Sequence, residues 1–187
     1  MEYMCMKVLF RRHLALALLA LVSGGAYAQR VAVKSNALYW AAASPNLGVE
    51  FRLSRHFTLN VEAAANPFQF GKDIQPYFAG LTPEVRYWFE ARPHARHFIG
   101  AMALGSIYDI RFKEKCHEGT AFGAGLTYGY SFVLSSRWSV ETTVGAGVLR
   151  YKERRYDAGS AAPARTNNER VAFAPLKLGV SFVYLIK

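Results

Sequence analysis

Cysteine is scarce in this chain, with two among 187 residues, Cys5 and Cys116. Cys5 lies in a leader segment, which leaves Cys116 alone in the mature protein and excludes a disulfide-stapled scaffold. Long apolar runs are missing too. The run Leu14–Val22 spans nine residues, whereas a membrane-crossing helix needs about 20. Helical periodicity is absent beyond the leader, and glycines recur at 100, 105, 123, 125, 129, 145, 147 and 179, each costing about 1 kcal/mol in a helix. Acids are outnumbered, 13 Asp and Glu against 23 Lys and Arg, for a net charge of +10.

The N-terminus has the three parts of an export signal. Lys7, Arg11 and Arg12 form a basic region, Leu14–Val22 an apolar one, and Ala26-Tyr27-Ala28 a small-residue cleavage site before Gln29. Residues 1–28 are therefore expected to be a signal peptide, and residues 29–187 one domain. Loss of Glu2, Lys7, Arg11 and Arg12 lowers the net charge from +10 to +8. Export removes nucleic acid as a partner for this basic balance. Acidic lipid head groups or anionic polysaccharide fit it better.

Period-2 runs bounded by turn residues divide the mature chain into about eight strands. They are placed near Val33–Ala43, Leu47–Leu53, Phe57–Ala65, Leu81–Phe89, Phe98–Tyr108, Thr120–Leu134, Trp138–Tyr151 and Val171–Ile186. The connections at 54–56, 90–97 and 135–137 are compact. Those at 66–80, 109–119 and 152–170 are long, and only Ser44-Pro45-Asn46 breaks the alternation. Short turns at one end and long loops at the other are the pattern of an up-and-down outer-membrane barrel.

Each strand carries two unlike faces. Phe122, Ala124, Leu126, Tyr128, Tyr130 and Phe132 alternate with Ala121, Gly123, Gly125, Thr127, Gly129 and Ser131. Elsewhere the second face is charged. Glu50 and Arg52 lie opposite Leu47, Val49, Phe51 and Leu53; Glu62 lies opposite Phe57, Leu59, Val61 and Ala63. Glu84 and Arg86 lie opposite Val85, Tyr87 and Phe89; Glu141 lies opposite Trp138, Val140, Val144 and Val148. Lys177 lies opposite Leu176, Leu178, Val180, Phe182 and Tyr184. With Lys34, these make four acids and four bases for a lumen in which each charge finds a partner. Glycine faces on the sixth and seventh strands leave room for the long side chains. The orientation of strands one and five is left open.

Phe57, Tyr87, Trp88, Phe89, Phe98, Phe132 and Trp138 cluster beside the short turns and suggest one interfacial girdle. Phe51, Phe68, Phe70, Phe122, Tyr151 and Phe173 suggest a second at the long-loop end. The final residues Val180, Phe182, Tyr184 and Ile186 resemble the barrel-assembly signal of outer-membrane proteins, with Lys187 where a terminal aromatic is usual.

The segments Val33-Lys34-Ser35-Asn36-Ala37-Leu38-Tyr39-Trp40 and Ser44-Pro45-Asn46-Leu47-Gly48-Val49-Glu50-Phe51 resemble a family of uncharacterised outer-membrane proteins of Bacteroides-type bacteria. Residues 83–89 and 123–130 are similar to its motifs as well. The resemblance implies a small eight-stranded barrel and, for some members, encoding near fimbria-type adhesin genes. It implies no biochemical activity.

Little chemistry is written in the strands. His94 and His97, and Cys116 beside His117, are too few for a metal set, so no metal and no cofactor is expected. No G-x-S-x-G elbow occurs; Ser106, Asp109 and His117 are the nearest approach to a catalytic triad, with no spacing that requires contact. Gly123-Ala124-Gly125 and Gly145-Ala146-Gly147 lack the following helix of a nucleotide loop. The fourth outer loop, 152–170, is basic: Lys152, Arg154, Arg155 and Arg165 are the candidates for contact with lipopolysaccharide phosphates or another polyanion.

The expectation is an all-β, eight-stranded antiparallel transmembrane barrel in the outer membrane, monomeric, with a filled lumen and no enzymatic role. Its partners are outer-membrane lipid and lipopolysaccharide, with fimbrial or other surface proteins as further candidates. Two alternatives stand beside it: a lipid- or lipopolysaccharide-modifying enzyme, and a soluble periplasmic barrel for an apolar ligand.

Overall fold

The computed structural model describes residues 31–68, 74–91, 94–112, 115–157, 163 and 165–186. The expected signal peptide, Phe70, Gly159 to Ala162 and Lys187 lie outside the described residues. Eight strands follow in chain order: β1 Val31–Asn36, β2 Asn46–Arg52, β3 Phe57–Asn66, β4 Ile74–Trp88, β5 Arg96–Phe112, β6 Lys115–Val133, β7 Trp138–Asp157 and β8 Asn168–Ile186. Each pairs antiparallel with its neighbours, and β8 returns to β1, with Val31 opposite Ile186 and Asn36 opposite Ser181. The barrel is closed. One short helix, α1 Ala37–Ala41, interrupts the pattern, and none of the described helices is long and apolar enough to cross a membrane.

Two of the turns are built the same way. Ser54 Oγ accepts from the amides of His56 and Phe57 at 3.3 and 3.1 Å. Ser135 Oγ does the same for Arg137 and Trp138 at 3.4 and 3.2 Å. A serine hydroxyl that satisfies the next amides fixes a tight reversal, and with it the register of β2–β3 and β6–β7.

The wall is uneven. β1 and β2 have 6 and 7 residues, whereas β6 and β7 have 19 and 20. Where β1 stops, Asn36 takes over. Its Oδ1 accepts from Leu38 N at 3.0 Å and from Val180 N at 3.2 Å, and its Nδ2 donates to Leu178 O at 3.2 Å. One side chain thus caps α1 and continues the ladder of β8. Leu38 and Trp40 face outward, Trp40 Nε1 donating to Ser35 Oγ at 2.7 Å. The half-buried Tyr39 between them feels the charges of Glu62 and Lys177.

The connections depart from the expected alternation. The first, residues 37–45, holds the helix in place of a continued strand, because Asn36 is a better helix cap than strand residue. The expected loop at 109–119 is strand on both sides of 113–114, and the one at 152–170 is strand at 152–157 and 168–170, which shortens the connection to 158–167. Their charges made them look solvated. In the ladder they pair across strands, Arg154 with Glu118, Arg150 with Glu169, and Lys152 with Glu169 at 3.3 Å.

Alternation along the strands decides which side chains point inward. β1 turns Ala32, Lys34 and Asn36 in, and β5 turns Phe98, Gly100 and Met102 in. Several expected girdle members are displaced. Trp88 and Phe98 are both 0% exposed and lie inside. Trp88 follows Arg86 by two residues and shares its face; its Nε1 donates to Thr58 Oγ1 at 2.9 Å. Tyr151, opposite the buried Ala121, is on the inner face as well. Phe51 does face out, but at the short-turn end, one residue before β2 finishes. Leu176, expected outward, is the extra residue where Gly145 faces Lys177 and Ala146 faces Pro175. That bulge turns its methyl toward Gly123 on the inside.

Candidate functional site: a buried charge cluster

Six strands bring ionised side chains to the barrel axis. Lys34 comes from β1, Glu50 from β2, Glu62 from β3, Glu84 and Arg86 from β4, Glu141 from β7 and Lys177 from β8. All but Lys177 are buried outright, and its side chain is 7% exposed. Arg86 is the hub. Its Nη1 lies 3.0 Å from both Glu50 Oε2 and Glu141 Oε1, and its Nη2 lies 2.7 Å from Glu84 Oε2. Lys34 pairs with Glu50 and lies 3.2 Å from Glu141. Lys177 joins Glu62 and Glu84 at 3.1 and 2.9 Å.

Neutral donors reach three of the four carboxylates. Thr58 donates to Glu50 and Thr127 to Glu84. Asn60 Nδ2 reaches Glu84 at 3.3 Å, and Thr143 Oγ1 reaches Glu141 at 3.2 Å. Such pairing is what permits charges to be buried, since an isolated ion out of water costs several kcal/mol; Glu62 Oε1 and Arg86 Nε are the atoms of the cluster's charged groups left without a hydrogen bond among the described residues. The cluster fixes how strands distant in sequence sit around the axis. It is weaker evidence for net stability, because a well-packed apolar core serves that end as well.

The short-turn end of the interior is plugged by rings. Trp88 and Phe98 pack at 4.8 Å between centroids, and the Arg86 guanidinium stands 4.4 Å above Phe98. Room for them comes from glycine. A Cβ on Gly129 would overlap the Phe98 ring, and one on Gly145 would lie 3.2 Å from Lys177 Cβ.

Arg52 stands apart from the other seven expected lumen residues. It faces inward by parity but ends β2, is only half-buried, and its Nε donates to Ser54 O at 3.0 Å. A turn carbonyl at the rim serves it, and no acid pairs with it among the described residues. The residue the sequence did not add to the cluster is His94, whose Nδ1 lies 3.9 Å from Glu50 Oε2.

A second polar group lies at the tall end. Tyr108, Gly119, Glu153 and Asn168 are opposite one another across four strands. Glu153 accepts from Tyr108 at 3.3 Å and Asn168 at 2.6 Å and faces His117 Nδ1 at 3.3 Å. Glu153 therefore orients His117. Asp109 does not, since it pairs with Glu118 on the opposite face of the sheet. Ser106 lies opposite Ala121 and His117 opposite Ile110, so the three candidate triad residues stay apart. Among the described residues no three His, Cys, Asp or Glu side chains group as metal ligands.

Two of the four expected polyanion residues, Lys152 and Arg154, sit high on the outer wall. Lys152 and Arg154 are on β7, not in a loop, and line a groove of about 450 Å³ with Tyr77, Ile107, Asp109 and Glu118. Each has an acidic neighbour, Glu169 or Glu118. Arg155, also on β7, and Arg165, in the β7–β8 connection, are exposed.

Below that level the outer wall is apolar. On β7 the outward residues are Trp138, Val140, Thr142, Val144, Ala146 and Val148, then Arg150, Lys152 and Arg154. On β6 they are Phe132, Tyr130, Tyr128, Leu126, Ala124 and Phe122, then Thr120 and Glu118. Leu126 is 72% exposed and Phe173 77%.

A family model described as a protein of unknown function (DUF3575) matches residues 14–186, so the chain belongs to that family. No curated protein matches the chain, and no solved structure matches it.

Proposed function

We propose that this member of the DUF3575 family is an outer-membrane barrel with a filled, charge-paired interior, serving a structural or cell-surface interaction role. One observation carries the reading: the outward face of β7 stays free of charge from Trp138 to Val148 and turns basic at Arg150. About eleven residues at a rise of roughly 3.3 Å, tilted ~40° from the axis, span ~25 Å. That is the height of the apolar band on outer-membrane barrels. A soluble barrel has no use for Leu126 and Phe173 held in water on every side.

The role proposed is non-enzymatic. Lys152, Arg154, Arg155 and Arg165 stand just beyond the band, at the level where lipid A phosphates would lie, and contact them by charge-assisted hydrogen bonds. Fimbria-type or other surface proteins are the further partner class, on the strength of the sequence resemblance. Carbonate extraction of native membranes, followed by flotation with liposomes, tests the reading. The protein is expected to stay with the lipid; release into the aqueous fraction would overturn it.

A further inference from the structure

His94 reaches into the short-turn mouth of the barrel from the β4–β5 connection. Its ring is 5.6 Å from Trp88, and its side chain is 9% exposed. Neither ring nitrogen has a hydrogen-bond partner among the described residues. The connection is bent to put it there: φ is 65° at His94 and 60° at Arg96, a region that residues other than glycine seldom adopt. Ser131 Oγ holds the His94 carbonyl at 2.9 Å. Arg96, the first residue of β5, pairs with Glu90 at 2.9 Å.

The charges around the ring come from four strands. Glu50 of β2 and Glu141 of β7 favour a proton on it, whereas Lys34 of β1 and Arg86 of β4 oppose one. With Arg52 at the rim, the cluster holds four carboxylates, Glu50, Glu62, Glu84 and Glu141, against three cations, Lys34, Arg86 and Lys177. An imidazolium would balance the sum. Yet both its N–H groups would lack acceptors at bonding distance in a place closed to water, and that burial outweighs the pull of Glu50, setting the pKa below the ordinary histidine value.

We propose that the His94 side chain is a proton-operated latch, in which the neutral ring seats against Trp88 and the protonated ring leaves the mouth for water. The proton comes from bulk solvent, and no bond of the protein is made or broken. The direction follows from linkage. A ring swung into water titrates near the ordinary value of about 6.5, above its seated value, so the released form binds the proton more tightly. The seat is therefore fully kept above that pH. As pH falls through it, the open fraction grows by up to about tenfold per unit until the seated ring itself titrates. Release admits water to the Trp88–Phe98 layer.

Trp88 reports the event. The full chain, folded in lipid bilayers with Trp40→Phe and Trp138→Phe, keeps Trp88 as its single tryptophan. Emission and acrylamide quenching are followed from about pH 8 to about pH 5. The expected result is a reversible red shift and stronger quenching with a midpoint below ~6.5, absent when His94→Phe is added. A flat titration, or the same response in the His94→Phe protein, would overturn the latch. Should that variant fail to fold, the imidazole proton resonances of His94 in the unaltered chain decide the matter, since a midpoint at or above ~6.5 contradicts it.

Discussion

Arg86 on β4 and Glu141 on β7, 55 positions apart, meet inside the barrel at 3.0 Å. They sit on strands that are not neighbours in the sheet, so only the closed barrel brings them together. Removing either leaves a buried charge without its partner, at about 3–5 kcal/mol. Arg86→Ala and Glu141→Ala are each expected to lower the free energy of unfolding, measured by urea titration in detergent, by that order. Arg52→Ala, at the rim, should change stability by no more than ~0.5 kcal/mol. Equal tolerance at positions 52 and 86 would show that the cluster is not a buried network.

Gly129 makes the ring plug possible. Gly129→Ala places a carbon in overlap with the edge of the Phe98 ring and 2.7 Å from Thr142 O, and overpacking of this kind costs about 1–3 kcal/mol. Gly105→Ala meets only Phe122, at an ordinary 3.6 Å, and should be near neutral. Comparing the heat-induced mobility shift of the two variants on electrophoresis checks the contrast.

A charge in the apolar band is a sharper probe of the surroundings. Leu126→Arg should cost ~2–4 kcal/mol at mid-membrane depth, and Thr120→Arg, beyond the band, ~0–1 kcal/mol. Urea unfolding in phospholipid vesicles measures both. Similar values at the two positions would mean that the outer wall faces water.

The basic groove predicts salt-sensitive binding. Replacing Lys152, Arg154, Arg155 and Arg165 by alanine together should weaken attachment of lipopolysaccharide to the detergent-solubilised barrel, and rising ionic strength should weaken it in the parent protein. Unchanged binding in the fourfold variant would remove these residues from the interface. In planar bilayers the parent protein should show no large steady conductance, because Trp88, Phe98 and Arg86 are 0% exposed in the interior and an eight-stranded lumen holds side chains and little more.

Much of the inner face was legible because pleating makes parity a physical rule. Glu50 stands between Val49 and Phe51, Arg86 between Val85 and Tyr87, and a charge so flanked has one place to go. The same parity was available for Trp88, which is two residues past Arg86; nearness to a turn suggested an interface instead. Phe98 was less accessible, since bulk lies on both faces at Phe98-Ile99. Asn36 ahead of Ala37-Leu38-Tyr39-Trp40 carried a helix-cap signal inside an apolar run that reads as strand. Glu153 was hidden for a different reason. Its neighbours Lys152, Arg154 and Arg155 are charged on both faces, and such a stretch looks like a loop until cross-strand partners such as Glu118 and Glu169 are placed beside it. His94 needed the backbone, because nothing local announces a left-handed turn that tucks a ring inward.

The most direct measurement places a nitroxide at Leu126→Cys, in a Cys116→Ser background, in protein reconstituted into bilayers. Collisional relaxation by oxygen should be strong and by a water-soluble nickel chelate weak, as for a side chain in hydrocarbon. A label at position 126 that the chelate relaxes freely, in a protein that stays in solution without lipid or detergent, would contradict the account.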